Sequence, residues 1–245
     1  MHIHVFSCRV FSRELSYYAS QSDNMIDITW LPQGLHERPG VLHTTIEESI
    51  ADMYDQLEHK LLKRTPDYIA LCYGVCSKGM DGLTATDIPL VIPRTDDCIG
   101  IFLGSQERYM ECFEKYPGTY WLNSGWIENS PEIDPDYHDR MLEYYTERYG
   151  EETAEYLLET NKTLLKNYKS IGYIESDVYK NDEHHQRAAE YAAENGWTLE
   201  DFDGDDRIIR KLVAGDWDEK DFLVVEPGYK AQFTTGPERL VAVKA

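Results

Sequence analysis

Tyr68-Ile69-Ala70-Leu71-Cys72-Tyr73-Gly74-Val75-Cys76-Ser77-Lys78-Gly79 passes from an unbroken apolar run into a glycine-rich segment. A short run of this kind reads as a strand buried on both faces, and such strands belong to parallel sheets covered by helices. The run Leu90-Val91-Ile92-Pro93, followed by Arg94-Thr95-Asp96-Asp97-Cys98, repeats the arrangement. So does His2-Ile3-His4-Val5-Phe6-Ser7, closed by Cys8. In an open parallel α/β sheet the carboxyl ends of the strands share one crevice, where ligands bind. Cys8, Cys76 and Cys98 are therefore expected to meet there. Three thiolates with one position left open suit zinc or an iron–sulfur cluster.

Strand and helix signals alternate outward from this stretch. A helix is predicted over about 9–20, a strand at 26–31, and a long helix from Pro39 to about Lys63 with Leu42, Ile46, Ile50, Met53, Leu57 and Leu61 on one face. A helix over about 97–115 and a strand at 118–122 follow. Helices are predicted over 136–149 and 151–168, broken at Gly150. The remainder returns to the α/β rhythm, with strands at 171–174, 197–202 and 222–225 and an edge strand at 240–243. The expected fold is α/β: two Rossmann-like lobes with parallel sheets and a helical insertion. Residues 1–122 form the first lobe, 123–169 a loop and helical connection, and 170–245 a smaller lobe.

The chain of 245 residues carries a net charge of −21, which disfavours nucleic acid and anionic membranes as partners. No apolar run approaches the roughly 20 residues of a membrane span. No basic leader precedes the first strand, so a cytoplasmic location is expected, where five cysteines are free, metal-bound or catalytic rather than paired.

Several local patterns fail on inspection. Cys72 and Cys76 have the spacing of a radical-SAM motif, but Gly79 stands where its third cysteine belongs. The glycines suit a phosphate loop, but Met80 replaces its lysine. What remains is a loop in which Gly74 and Gly79 let backbone approach a cofactor closely. Cys72 lies within a strand and Cys112 on an apolar helix face, both core positions. Arg94 can clamp a carboxylate or phosphate, Asp96 or Asp97 can cap the next helix or move protons, and His36 or His43 can supply a fourth ligand or hold substrate. Trp126 offers a stacking surface and Glu128 a carboxylate in another strand-end segment. Glu14 can support the site from behind or pair with solvent-facing Arg13. His184 and His185 read as surface.

Taken together, Cys8 with Glu14-Leu15, Leu31-Pro32-Gln33-Gly34-Leu35-His36, Tyr73 to Gly79, Leu90 to Cys98 with Leu103-Gly104-Ser105, Gly118 to Glu128, and Phe222 to Gly228 resemble a known pattern over nearly the whole chain. It is that of the domain-of-unknown-function family numbered sixteen thirty-eight, of methanogens and anaerobic bacteria. In that pattern the position of Cys72 is commonly glycine, which favours Cys8, Cys76 and Cys98 as the metal set. The resemblance implies proximity to corrinoid-dependent methyltransferases, hence anaerobic one-carbon metabolism. The chain itself lacks the corrinoid-carrier motif Asp-x-His-x-x-Gly: Asp182-Glu183-His184-His185-Gln186-Arg187 ends in arginine.

The expected function is that of a metal- or iron–sulfur-dependent protein of one-carbon or sulfur metabolism. A [4Fe–4S] cluster comes first and zinc second, with Arg94, His36, Asp96 and Glu128 serving a small substrate. The alternative is a non-catalytic accessory protein that binds a corrinoid, a metal or a methyltransferase.

Overall fold

The first strand, β1 (His2–Cys8), sends Ile3 and Val5 into one core and Phe6 into another, because successive side chains alternate across a sheet. The computed structural model describes residues 1–245, with the side chains of residues 161 and 164 left aside. From β1 the chain runs through α1 (Ser12–Gln21), β2 (Met25–Leu31), α2 (Pro39–Glu58), β3 (Tyr68–Cys72) and β4 (Leu90–Pro93). Next come α3 (Cys98–Phe102), α4 (Gln106–Lys115), β5 (Thr119–Leu122), α5 (Ser124–Asn129) and the paired helices α6 (Tyr137–Tyr149) and α7 (Glu151–Leu165). The last stretch holds β6 (Ser170–Glu175), α8 (Asp182–Asn195), β7 (Thr198–Asp203), α9 (Arg207–Ala214), β8 (Phe222–Val225), β9 (Tyr229–Phe233) and β10 (Leu240–Lys244).

The larger sheet has the order β2-β1-β3-β4-β8, parallel except for β8, which runs antiparallel to β4. Phe6, Ile69, Leu71, Leu90 and Ile92 pack toward Leu42 and Ile46 of α2. Ile3, Val5, Ala70 and Val91 pack toward Leu15 of α1, α3 and α9. The smaller sheet, β5-β6-β7, is wholly parallel. A third pairing, the antiparallel hairpin β9–β10, seats Ala231 and Leu240 in the core beside α2. The fold is α/β, with α6 and α7 as its helical pair.

The expected boundaries of the two lobes are corrected. β5, placed at the end of a first lobe 1–122, pairs with β6 and opens the smaller sheet. α9, β8 and the hairpin, placed in a second lobe 170–245, complete the larger sheet. The β5–β7 unit is thus an insertion between α4 and α9. The reason is α9, whose Ile208, Ile209, Leu212 and Val213 are all buried against the larger sheet. Each such side chain contributes roughly 1.5–3 kcal/mol on burial, more than any local signal at the boundary can outweigh.

The predicted helix over 97–115 is also two helices. Gly104 adopts φ +82°, and the hydroxyl of Ser105 accepts from the Arg108 amide at 3.1 Å to start α4 afresh. No described helix is long and apolar enough to cross a membrane.

Candidate functional site

Four loops leave the carboxyl edge of the larger sheet side by side, and their residues enclose a cavity of about 250 Å³. Cys8 ends β1, Cys76 lies in the loop after β3, and Cys98 opens α3; all three line the cavity. Gln33, Leu35 and His36 reach it from the loop after β2. Trp126 of α5 also lines it, its ring edge-on to His36 at 5.8 Å.

The two later cysteine loops are bolted together. The amides of Val75 and Cys76 donate to the carbonyls of Thr95 and Asp96 at 2.7 and 2.9 Å. Gly74 makes this possible, since a Cβ there would stand 2.7 Å from the Asp97 backbone. Cys76, Ser77 and Lys78 adopt φ of +44°, +56° and +73°, a left-handed turn that costs roughly 1–2 kcal/mol per residue. Strain of this kind concentrates where a site over-determines its backbone. Asp97 anchors the other side: its carboxylate accepts from the Ile99 amide at 2.9 Å and from the Tyr109 hydroxyl at 3.0 Å.

Burial pushes all three thiols up from their ordinary value. Cys8 is pushed up to about 11 by desolvation, against a lowering contact from the Val10 amide. Cys76 and Cys98 are also pushed up, first by desolvation and then by the Asp97 charge. Cys8 and Cys98 keep some surface open to the cavity, but dense protein surrounds them and desolvation still dominates. Among the described residues no arginine or lysine lines the cavity, and His36 is the one basic side chain in its wall. The thiols share one cavity, although among the described residues no group of three or more His, Cys, Asp or Glu side chains is gathered as a metal site.

His36, Asp96 and Trp126 line the cavity with the three cysteines. The Asp96 carboxylate accepts from the Gln106 amide at 2.7 Å and pairs with Arg239 at 3.0 Å.

The other expected site residues stand elsewhere. The Arg94 guanidinium donates to the carbonyls of Phe222 and Glu238 at 3.0 Å each and to that of Leu240; it ties the C-terminal strands to β4 and does not line this cavity. Glu128 pairs with Arg13 at 2.7 Å and does not line the cavity. Gly74 and Gly79 pack against the Asp97 backbone and the Leu42 side chain, and neither lines the cavity. His43 lies 3.3 Å from Glu47; His185 at the surface, paired with Asp201 at 2.7 Å, and Cys72 in the core stand as expected. Glu14 is buried rather than solvent-facing, one of its carboxylate oxygens has no hydrogen-bond partner, and desolvation pushes its carboxyl up.

Tyr73 escaped the sequence reading. It closes the β3 run directly before Gly74, where an aromatic residue passes for core, yet it lines the cavity and its buried hydroxyl has no partner.

A family model described as a protein of unknown function (DUF1638) matches residues 30–213. The chain belongs to this family. Cys76, Cys98, Tyr73, His36 and Trp126 fall within the matched DUF1638 span, whereas Cys8 precedes it. No curated protein and no solved structure is matched by the chain.

Proposed function

We propose that Cys8, Cys76 and Cys98 hold one metal centre, and that the protein handles a small substrate at that centre in anaerobic one-carbon or sulfur metabolism. One observation carries the reading: three cysteines, each carried at or just beyond the carboxyl end of a different strand, line the same cavity. A [4Fe–4S] cluster is the leading occupant and zinc the next. Either one, held by three thiolates, keeps a position open where a substrate atom is polarised or a nucleophile made. His36 and Asp96 are the lining groups able to exchange protons with that substrate, and Trp126 supplies an apolar wall. Arg94 and Glu128 have no part in it.

The accessory role stands second, through contact with a methyltransferase or delivery of a metal. Direct capture of a corrinoid fits poorly, because about 250 Å³ lies below the roughly 300–1,000 Å³ that drug-sized ligands occupy. Anaerobic purification followed by iron, acid-labile sulfide and zinc analysis is the test. About four irons and four sulfides per chain, or one zinc, reduced in each single Cys→Ser variant of the three, is the expected result. Metal-free protein after anaerobic reconstitution would sink the reading.

A further inference from the structure

We propose that β2 is a self-pairing edge. A second copy of the chain lays its own β2 antiparallel against it and joins the two larger sheets across a two-fold axis at Ile28.

β2 (Met25–Leu31) ends the larger sheet, with β1 as its neighbour on one side and, among the described residues, no strand on the other. The Met25 amide donates to the Met1 carbonyl at 2.9 Å, so Met25, Asp27, Thr29 and Leu31 turn their backbone groups toward β1. Ile26, Ile28 and Trp30 turn theirs outward. Among the described residues these outward amides and carbonyls have no hydrogen-bond partner. Such a row is a template for another strand, and proteins blunt it with charge, proline, a bulge or a short edge. In the smaller sheet, edge strand β7 carries Glu200, Asp201 and Asp203, and edge strand β5 has only four residues. β2 has seven residues in unbroken register and no proline. Its one charge, Asp27, is already engaged by His2 at 2.7 Å.

The strand is complementary to its own reverse. An axis through Ile28 sets Ile26 opposite Trp30 of the second copy, Ile28 opposite itself, and Asp27 opposite Thr29. Every outward-facing residue then meets another, and each such pair exchanges two backbone hydrogen bonds. The half-buried side chains of Ile26, Ile28 and Trp30, which pack on the α1 and α9 side of the sheet, join those of the second copy in one apolar row. Neighbouring registers fail. An axis through Asp27 sets two carboxylates face to face, and one through Thr29 sets Asp27 against Leu31. This self-match selects a copy of the chain over a foreign strand. Each chain carries a net charge of −21, so the copies repel at long range, and salt relieves that repulsion without weakening the apolar row.

Sedimentation velocity on the full chain, over a concentration series at low and raised salt, tests this. One chain should pass to two as concentration rises, with a larger dimer fraction at raised salt. Ile28→Pro keeps the β1–β2 ladder, because the Ile28 amide points away from β1, and should stay monomeric throughout. Ile28→Cys should cross-link to itself on mild oxidation, above the background set by the five native cysteines. Directly opposed residues of such a pair lie about 5.5 Å apart at Cα, within disulfide reach. Ile26→Cys should stay at background, because Trp30 stands opposite it. Wild type that remains monomeric under every condition overturns the proposal, whether or not another protein's strand binds the edge. A dimer that persists in folded Ile28→Pro, or equal cross-linking at positions 26 and 28, overturns it as well. Should Ile28→Pro fail to fold, the contrast between the two cysteine variants decides alone.

Discussion

Arg13 and Glu128, 115 residues apart in sequence, meet in a two-pronged ion pair: Nη2 lies 2.7 Å from one carboxylate oxygen, and Nε donates to both at 3.1 and 3.2 Å. The pair joins α1, which starts just beyond Cys8, to α5, which carries Trp126. The Arg13 guanidinium also lies over the Tyr179 ring at 4.4 Å. The Arg13 side chain is 49 % exposed, so solvent screens the pair and its worth is at most about 1 kcal/mol. Glu128→Gln should lower the melting temperature only slightly and leave metal stoichiometry unchanged. Loss of bound metal in that variant would return Glu128 to the site.

Gly125 is where α5 presses against the turn after β1. A Cβ at this position would overlap the carbonyl oxygen of Val10, a cavity residue. Gly125→Ala has no flexible neighbour to displace, so it should cost on the order of 3 kcal/mol through overpacking and push Trp126 away from His36. Chemical denaturation and tryptophan fluorescence report the two effects. A variant as stable as the wild type, with an unaltered emission spectrum, would contradict this packing.

Arg94 separates a structural from a catalytic role. Arg94→Ala leaves three carbonyls of the C-terminal segment without their charged donor, and the expected loss is on the order of 3 kcal/mol. The folded fraction should still bind its full complement of metal. A variant of normal stability that loses substrate binding would restore the clamp role.

Asp206 sets a pH dependence. It is 1 % exposed, one of its carboxylate oxygens is unpaired, and the other accepts from the Tyr18 hydroxyl at 3.3 Å. Desolvation first, and then the neighbouring charges of Glu14 and Asp177, push it up from 3.8 to about 7. Between those values the unfolded chain ionises while the folded chain holds its proton, so stability falls as pH rises from about 4 to about 7 and is then level. Asp206→Asn keeps an acceptor for Tyr18 and removes the charge. At pH 8 it should stabilise the fold by a few kcal/mol, an order-of-magnitude figure from the size of the shift, and the gain should vanish near pH 4. An equal gain at both pH values would show that charge is not the cause.

Much of the fold was legible because buried parallel strands need apolar runs and the helices between them need a 3.6-residue period. Tyr68–Cys72, Leu90–Pro93 and Pro39–Glu58 carry those signals in their own residues. That Cys8, Cys76 and Cys98 line one cavity was legible too, since each follows a strand of the larger sheet and the carboxyl edge of those strands is common to all, although no group of three metal-holding side chains is gathered there among the described residues.

Other features depended on distant partners. Thr119–Leu122 reads as a strand in either sheet, and only its pairing with Ser170–Tyr173 assigns it. Ile208, Ile209, Leu212 and Val213 announce a buried helix face without naming the sheet that buries it. Arg94 next to a cysteine loop reads as chemistry until the carbonyls of Phe222 and Leu240 arrive beside it. Tyr73 reads as core, and its free hydroxyl becomes visible only when the surrounding loops leave it unpaired. Periodicity and residue type thus determined which segments are strands and helices and which edge holds the cysteines, because those properties are written in local burial. Tertiary structure alone decided which sheet each late segment joins and which polar groups remain free, because both depend on long-range packing.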